Sequence, residues 1–192
     1  MKIVCEGLEL SDALLKVSKG TSSKTTNPIL EGIKLSTEED NLVLTATDLE
    51  LSIEKTIRAE VKLEGETVVP GKLFNEYIKK LSNEQIELNL NENNVLSIKY
   101  TDSVGKIQCL NPQEFPQVKK LDYNEYFEIT QNDLRNLINK SIFSVAQEDT
   151  RPILKGCKLE VSDGFVKSIA LDGYRLAVVK KPILKSTGKF NV

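Results

Sequence analysis

Arg151-Pro152-Ile153-Leu154-Lys155-Gly156-Cys157-Lys158-Leu159 repeats a stretch found 124 residues earlier, Asn27-Pro28-Ile29-Leu30-Glu31-Gly32-Ile33-Lys34-Leu35. The same offset holds without a gap as far as Ala170-Leu171-Asp172, which aligns with Ala46-Thr47-Asp48. Eight of the 27 positions from Arg151 to Ala177 are identical to their counterparts. One register kept through two strands and their turns predicts a duplicated structural unit. The period is too long for a solenoid, whose repeats span about 20–50 residues, so the duplicated unit is a domain.

Length and composition are those of a soluble globular protein. The chain has 192 residues, of which 40% are apolar and 28% charged, and this length suits one large domain or about one and a half ordinary ones. No apolar run approaches the roughly 18 residues that a membrane helix needs, and residues 1–5 are too short a stretch for a signal peptide. We therefore predict a cytoplasmic protein without membrane contact.

The absence of histidine excludes many kinds of active site. With no histidine, the Ser-His and Cys-His nucleophile systems and the usual zinc ligands are ruled out. A formal net charge of -2 excludes a uniformly basic nucleic-acid binder but permits a basic face. Cys5, Cys109 and Cys157 stand far apart within apolar stretches, which favours buried reduced thiols over disulfides. No catalytic, metal or cofactor site is predicted.

Periodicity predicts a β-α-β-β-β pattern that occurs twice in the first part of the chain. Its first pass comprises a strand at 2–6, a helix at 8–19 and strands at 29–37, 42–47 and 50–57. Its second pass comprises a strand at 66–69, a helix at 71–81 and strands at 86–90, 95–100 and 106–110. Pro70 stands where a helix can begin without losing a hydrogen-bond donor.

A break in the periodicity at 111–116 predicts a linker before a third pass. This pass comprises a strand at 126–129, a helix that begins after Thr130, and strands at 153–161, 165–171 and 175–180. Residues 1–117 are thus predicted to form a complete domain of two β-α-β-β-β halves. Residues 118–192 are predicted to form only the first half of a second domain.

The helix at 71–81 carries two apolar stripes. Phe74, Ile78 and Leu81 form the first stripe, which is enough to dock the helix on a sheet. Leu73 and Tyr77 form a second stripe beside it. This second stripe indicates either a partner surface or a helix buried more deeply in its own domain, and the residues alone leave both interpretations open.

Several motifs along the chain resemble those of one protein family. They are Asn27-Pro28-Ile29-Leu30, Thr45-Ala46-Thr47-Asp48-Leu49-Glu50, Val69-Pro70-Gly71-Lys72-Leu73, Glu114-Phe115-Pro116, Phe143-Ser144-Val145-Ala146, Arg151-Pro152-Ile153-Leu154 and Asp172-Gly173-Tyr174-Arg175-Leu176-Ala177-Val178. In order and spacing they resemble the bacterial DNA polymerase III beta subunit, the sliding clamp, over essentially the whole chain.

The resemblance implies an α+β DNA-clamp fold, with helices on one face of antiparallel sheets. Clamp subunits have three such domains, and two subunits close head to tail into a homodimer ring around double-stranded DNA. The chain would then be an N-terminal fragment: domain 1 at 1–117, the first half of domain 2 at 118–192, and no domain 3. The implied function is that of a non-catalytic processivity factor of DNA replication, grouped with nucleotidyltransferases only through the polymerase III complex. The implied protein partners are the polymerase III alpha subunit, the clamp loader and repair polymerases, which bind through short apolar peptides.

Three sets of site residues follow from the resemblance. Residues on or beside the helices would make weak phosphate contacts that permit sliding: Lys16, Lys19, Lys24, Lys72, Lys79, Lys80, Arg135 and Lys140, with Gln147 and Arg151 in a neighbouring loop. One wall of the partner-peptide pocket would be formed by Leu154, Leu171, Gly173, Tyr174, Arg175 and Leu176. The subunit interface would be formed by Leu73, Tyr77, Leu81, Ile107 and Cys109, which favours the partner-surface interpretation of the second stripe.

Simpler or rival interpretations stand beside these expectations. A solvated helix face explains any one of the cations, and only their joint placement on equivalent helices favours DNA. The family usually has threonine where this chain has Leu171, which makes the pocket rim more apolar. A truncated clamp could bind partners without encircling DNA.

An enzymatic alternative rests on Asp48 and Asp172. They occupy equivalent places in the two copies, as the paired carboxylates of aspartic proteases do. Neither lies in an Asp-Thr-Gly context, and an Asx turn after each strand accounts for both. The hydrolase interpretation is therefore the weaker one.

The fragment interpretation predicts that the full-length parent stimulates its polymerase and that the 192-residue chain alone does not. Only a closed ring is retained on DNA, so half a subunit should leave product length unchanged. Primer extension on a primed circular template measures product length, with the full-length parent as the positive control. Processive synthesis with the 192-residue chain alone would contradict the expectation.

Overall fold

The structure, a computed structural model, describes residues 1–22, 25–81, 84–118, 124–147 and 151–192. It divides the chain into unit 1, Met1–Lys119, and unit 2, Lys120–Val192. Both units combine antiparallel strands with α-helices, which confirms the predicted α+β class. Among the described residues, none of the helices has the length and apolar character needed to span a membrane.

The described residues of unit 1 form two helices and nine strands. The helices are α1 (Gly7–Val17) and α2 (Gly71–Ile78). The strands are β1 (Lys2–Glu6), β2 (Gly32–Glu38), β3 (Asn41–Thr47), β4 (Ser52–Arg58), β5 (Glu60–Leu63), β6 (Glu66–Pro70), β7 (Gln85–Leu90), β8 (Val95–Tyr100) and β9 (Ser103–Gln108).

The two halves of unit 1 exchange their first strands. One sheet has the order β5-β1-β7-β8-β9, and the other has the order β4-β3-β2-β6. β1 comes before α1 and β2–β4 in the chain, yet it pairs along its whole length with β7 of the second half. Conversely, β6 opens the second half and pairs with β2 of the first. Neither half therefore has a complete sheet of its own.

Both helices of unit 1 bury one face in a single core. On α1, Leu10, Leu14 and Val17 have no exposed surface, because residues three and four apart lie on one face of a helix. On α2, Phe74 and Ile78 are buried to the same degree. These side chains form one cluster with residues from both sheets. Truncating a core side chain as large as Phe74 to alanine costs about 3–5 kcal/mol of stability.

In unit 2, the part of the chain that the structure describes forms one helix and six strands. The helix is α3 (Gln131–Asn139), whose N-cap Thr130 accepts a hydrogen bond from the backbone N–H of Asp133. The strands are β10 (Phe127–Glu128), β11 (Lys158–Ser162), β12 (Phe165–Leu171), β13 (Leu176–Pro182), β14 (Lys185–Ser186) and β15 (Phe190–Asn191). They form two sheets with the orders β13-β12-β11-β15 and β10-β14.

The duplication extends into the last strands of unit 2. β15 pairs with β11 as β6 pairs with β2, and β14 pairs with β10 as β5 pairs with β1. The core of unit 2 is smaller, with Leu137, Val161 and Val166 as its buried members. The strands predicted for this unit end at residue 180, so β14 and β15 were not predicted from the sequence.

Several predicted boundaries also need correction. The segments expected to begin strands at Ile29 and Ile153 are 3₁₀ turns, 28–31 and 152–155, and the strands that follow them begin at Gly32 and Lys158. A proline at the first position of each turn fixes the backbone in a helical φ. β5 was not predicted, because its alternation of charged and apolar residues spans only four positions. α1 ends at Val17 and α2 at Ile78, each earlier than expected.

The three cysteines are free thiols in different surroundings. Cys5 is buried, and burial raises the pKa of its thiol to about 12, with Glu6 and Glu9 adding to the shift. Cys109 is also buried, and burial raises its thiol pKa as well. Cys157 is only partly buried. The expectation of buried reduced thiols thus holds for Cys5 and Cys109.

These surroundings predict one accessible thiol in the native protein. A thiol reacts as its thiolate, so Cys5 and Cys109 should be unreactive with a chromogenic disulfide reagent at pH 8, while Cys157 reacts first. All three should react after unfolding in guanidinium. Cys157→Ser is the control and should remove the fast phase; a fast phase that survives in this variant would contradict the assignment.

Candidate functional site

The turn between β12 and β13 is held by the carboxylate of Asp172. Its Oδ1 accepts hydrogen bonds from the backbone N–H groups of Tyr174 at 2.9 Å and Arg175 at 2.8 Å. Its Oδ2 accepts hydrogen bonds from Nε and Nη2 of the Arg175 side chain at 2.8 and 2.7 Å. Four hydrogen bonds to one carboxylate favour its charged form. The backbone N–H of Tyr174, followed by the Arg175 side chain, lowers the pKa of Asp172 to about 2.

A second loop is fixed beside this turn. The 3₁₀ turn at 152–155 is closed by a hydrogen bond from the Leu154 N–H to the Arg151 carbonyl. The carbonyl of Leu154 in turn accepts a hydrogen bond of 2.9 Å from the N–H of Ala146. The backbone of 145–147 is therefore tied to the 3₁₀ turn.

The two loops border a cleft of about 560 Å³. It is lined by Val145, Ala146, Gln147, Arg151, Leu154, Asp172, Gly173, Tyr174 and Arg175. The lining combines apolar side chains with two arginines and a carboxylate. Tyr174 is almost fully exposed, at 98% of its surface, so an aromatic side chain stands in solvent at the cleft. A cleft of this size with a few polar groups suits a short peptide or a small ligand.

The structure brings together four of the six residues predicted for the partner-peptide pocket. Leu154, Gly173, Tyr174 and Arg175 line the cleft. Leu171 and Leu176 are a cross-strand pair at the adjoining ends of β12 and β13, and both are exposed, but they are not among the lining residues.

Two of the predicted DNA-facing loop residues, Gln147 and Arg151, line the same cleft. Val145, Ala146 and Asp172 are lining residues that the sequence-based pocket assignment missed. The signal that could have found Asp172 is its Asx turn, which was recognised only as a turn. Ala146 is found only through its backbone contact with Leu154, which no side-chain pattern reveals.

Unit 1 contains the same loop framework. Asp48 Oδ1 accepts hydrogen bonds from the backbone N–H groups of Glu50 at 3.0 Å and Leu51 at 2.7 Å. The carbonyl of Leu30 accepts a 3.0 Å hydrogen bond from Ser22, as that of Leu154 does from Ala146. Each partner lies 124 residues from its counterpart. The structural repeat therefore includes the hydrogen bonds of both loops.

The carboxyl groups of Asp48 and Asp172 do not have the properties of a proton-sharing pair. Such a pair needs one carboxyl with a raised pKa. The backbone N–H groups of Leu51 and Glu50 lower the pKa of Asp48, and the pKa of Asp172 is also lowered. Both carboxylates are therefore ionised at neutral pH. Each accepts hydrogen bonds from the backbone of its own turn, which opposes the hydrolase alternative. Among the described residues, no group of three or more histidine, cysteine, aspartate or glutamate side chains could hold a metal ion.

The predicted DNA-facing cations of the described chain are exposed. They are Lys16, Lys19, Lys72, Lys79, Lys80, Arg135 and Lys140. Lys16 lies on α1 and is paired with Asp12 at 2.5 Å, so its charge is partly offset. Lys79 and Lys80 directly follow the last residue of α2, where the helix dipole also favours cations. Lys24 lies outside the described residues.

The residues predicted for the subunit interface differ in exposure. Leu73 is 54% exposed on α2. Tyr77 and Leu81 pack against the core of unit 1, and a β-carbon added at Gly105 would meet the Tyr77 hydroxyl. Ile107 and Cys109 are buried. Ile107 lies on β9 and Cys109 directly follows this strand, which is the edge strand of its sheet among the described residues.

Comparison with known proteins gives a consistent assignment. The family "DNA polymerase III beta subunit, N-terminal domain" matches residues 1–119, and "DNA polymerase III beta subunit, central domain" matches residues 128–192. The beta sliding clamp of Halalkalibacterium halodurans is 36% identical over 178 residues, covering 88% of this chain and 47% of the relative. The DNA polymerase sliding clamp from Bacillus subtilis has a TM-score of 0.94 at 28% identity, covering 100% of this chain and 53% of that chain. The DNA polymerase III subunit beta from Pseudomonas aeruginosa has a TM-score of 0.91 at 30% identity, with the same coverage.

The duplicated α+β units and their repeated loops define a protein with the DNA-clamp fold. The chain belongs to the DNA polymerase III beta subunit family, which confirms the family predicted from the motifs. The chain spans about half the length of the curated relatives it matches.

The repeated turn contains one unfavourable backbone conformation. Leu49 has a φ of +79°, and its counterpart Gly173 has a φ of +92°. A left-handed conformation costs a residue with a β-carbon about 1–2 kcal/mol, while glycine adopts it freely at a cost in backbone entropy of about 0.5–1 kcal/mol. The Leu49 side chain is 68% exposed and contributes little packing.

Leu49→Gly should therefore raise the free energy of unfolding of unit 1 by about 0.5–1 kcal/mol. Guanidinium unfolding of the protein, followed by a probe in unit 1, measures the change. Leu51→Gly is the matched control, since Leu51 is similarly exposed at 50% but has no positive φ, and it should not stabilise. Equal effects of the two substitutions would show that the strain is not at Leu49.

Proposed function

We propose that this chain is a non-catalytic part of a ring-shaped sliding clamp, a processivity factor that holds a replicative polymerase on duplex DNA. The observation that carries the proposal is the match of two consecutive domains of the family, in family order, to residues 1–119 and 128–192. A ring acts by topology: it cannot leave the duplex sideways, yet it slides. Such a protein requires binding surfaces and no reacting groups. We assign its action to the cytoplasm, where bacterial replication takes place.

The proposed DNA surface consists of the exposed cations on and after the helices. Around α2, Lys72, Lys79 and Lys80 are exposed, with Glu76 as the acidic residue between them. Phosphate contacts from such lysines are independent of sequence and weaken with salt. They supply the weak attraction that a sliding ring needs without fixing it at one site. Acidic residues elsewhere, which give the chain its net charge of -2, would keep other surfaces from adhering to DNA.

The proposed protein contacts are of two kinds. The cleft between the Asp172 turn and the 3₁₀ turn at 152–155 offers apolar and polar groups to a short apolar peptide, such as one from the polymerase III alpha subunit, the clamp loader or a repair polymerase. The outer edge of β9, which has no neighbouring strand among the described residues, is the proposed homodimer contact, together with Leu73 near the start of α2. An exposed edge strand readily pairs with a strand of another chain. Val104 on β9 is 57% exposed and adds an apolar residue at this edge.

The DNA surface can be tested by reversing charge on the helices and on the strands. Lys72→Glu/Lys79→Glu/Lys80→Glu should weaken binding to a fluorescent 30-base-pair duplex at least about tenfold at low salt. It should also reduce the slope of log K against log salt by about 0.9 for each phosphate that the variant no longer neutralises. Fluorescence anisotropy with two duplexes of unrelated sequence measures both quantities, and the affinities for the two sequences should agree.

The matched control places the same charge change on strands. Lys55, Lys62 and Lys99 are exposed on β4, β5 and β8, and Lys55→Glu/Lys62→Glu/Lys99→Glu should change the affinity less than about threefold, as expected from the net-charge effect alone. Equal losses of affinity in the two triple variants would oppose a specific DNA surface on the helices. A marked preference for one duplex sequence would oppose a sliding function.

A further inference from the structure

The carboxylate of Asp172 performs two separate tasks with its two oxygens. Oδ1 holds the backbone of the turn through the N–H groups of Tyr174 and Arg175. Oδ2 holds the Arg175 guanidinium through Nε and Nη2, at 2.8 and 2.7 Å. Two parallel N–H···O bonds fix both the position and the plane of a guanidinium, which a single contact does not.

In unit 1, the equivalent aspartate performs the first of these tasks without the second. Asp48 makes the same pair of backbone hydrogen bonds through Oδ1. The residue in the place of Arg175 is Leu51, so Asp48 Oδ2 has no arginine to hold at this position. The turn therefore forms without an arginine, and the ion pair in unit 2 is an addition that the backbone geometry does not require.

The ion pair determines where an otherwise mobile side chain lies. Arg175 is 59% exposed, whereas the Asp172 side chain is only 12% exposed. An exposed arginine samples many rotamers, and fixing it on binding costs about 0.5–1.5 kcal/mol. Asp172 already fixes the side chain in the free protein, and the guanidinium also lies 5.8 Å from the ring centre of Phe143, within the distance of a cation–π contact. Both residues of the ion pair line the cleft.

We propose that Asp172 is a positioning residue of the peptide cleft: it pre-organises Arg175 as a fixed wall and hydrogen-bond donor for a bound peptide. Of the five N–H groups of a guanidinium, Asp172 engages two, and the others serve peptide carbonyl or side-chain oxygens. The carboxylate also offsets the charge of Arg175, which suits a cleft that receives an apolar peptide. This inference rests on the proposed function of the cleft.

Asp172→Asn tests the positioning task without removing the turn. Asparagine keeps Oδ1 as acceptor for the two backbone N–H groups and is favoured in Asx turns. Its side-chain N–H₂ is a donor, so it cannot accept the Arg175 Nε–H and Nη2–H. The probe is a fluorescent ten-residue peptide from an apolar segment of the polymerase III alpha subunit, with a scrambled peptide as the reference. We expect Asp172→Asn to bind it about three- to tenfold more weakly than the unmodified protein.

Two further variants distinguish positioning from a general effect. Asp48→Asn changes the equivalent turn, where there is no arginine, and should leave peptide affinity unchanged. In an Arg175→Ala background, Asp172→Asn should cause no additional loss of affinity, because the group it positions is absent. The NMR signal of the Arg175 Nε–H, identified by its disappearance in Arg175→Ala, should be protected from exchange in the unmodified protein and lose this protection in Asp172→Asn.

The outcomes separate this inference from the proposed function. If the unmodified protein binds the peptide no better than the scrambled one, the cleft is not a peptide site, and both the proposed partner contact and the positioning role are overturned. If the unmodified protein binds and Asp172→Asn binds equally well, the positioning role alone is overturned. An additional loss of affinity in the Arg175→Ala background would show that Asp172 acts through the turn, and an equal loss in Asp48→Asn would show a general effect; either result overturns the positioning role.

Discussion

The pairing of β1 with β7 and of β6 with β2 is the constraint on which unit 1 depends. Each half of the unit gives its first strand to the other half, so neither sheet is complete until both halves have folded. The exchanged strands also share one core: Ile3 of β1 and Val69 of β6 belong to one cluster with both helices. The two helices therefore pack on one shared core. This packing determines which face of each helix is exposed, and with it the positions of the lysines on those faces.

The two copies of the repeat show how one framework supports different surfaces. In both copies an aspartate binds the backbone two and three residues later, and a leucine carbonyl binds the backbone eight residues earlier. These contacts involve the backbone and one carboxylate oxygen, which leaves the neighbouring side chains free to differ. At the third residue after the aspartate, unit 1 has leucine and unit 2 has arginine. The second carboxylate oxygen is engaged by a side chain only where that residue is a cation, and the cleft in unit 2 acquires its polar wall at this position.

Periodicity predicted the helices and most of the longer strands, because it depends on residues that are close in sequence, and the order and spacing of the motifs predicted the family. Leu10, Leu14 and Val17 indicated the helix α1, and the offset of 124 residues indicated the repeat. The exchange of β1 and β6 could not be predicted in this way, since it is set by pairing between strands that lie far apart in the sequence. Short strands such as β14 were missed because two residues carry no alternation. Ile107 and Cys109 were assigned to a surface by resemblance, and only the structure shows that both residues are buried.

The left-handed residue in each turn shows which residue determines the turn geometry. Glycine at position 173 suggests a turn that forms because glycine permits a positive φ. Leucine occupies the same place in unit 1 and has nearly the same φ, although a β-carbon disfavours it. What the two turns share is the aspartate, whose Oδ1 draws the second and third following N–H groups to one point. When both hydrogen bonds form, the residue directly after the aspartate, Leu49 or Gly173, is restricted to a narrow range of backbone conformations. The aspartate therefore imposes the turn and glycine only relieves its strain, which is why the carboxylate is identical in the two copies and the residue after it is not.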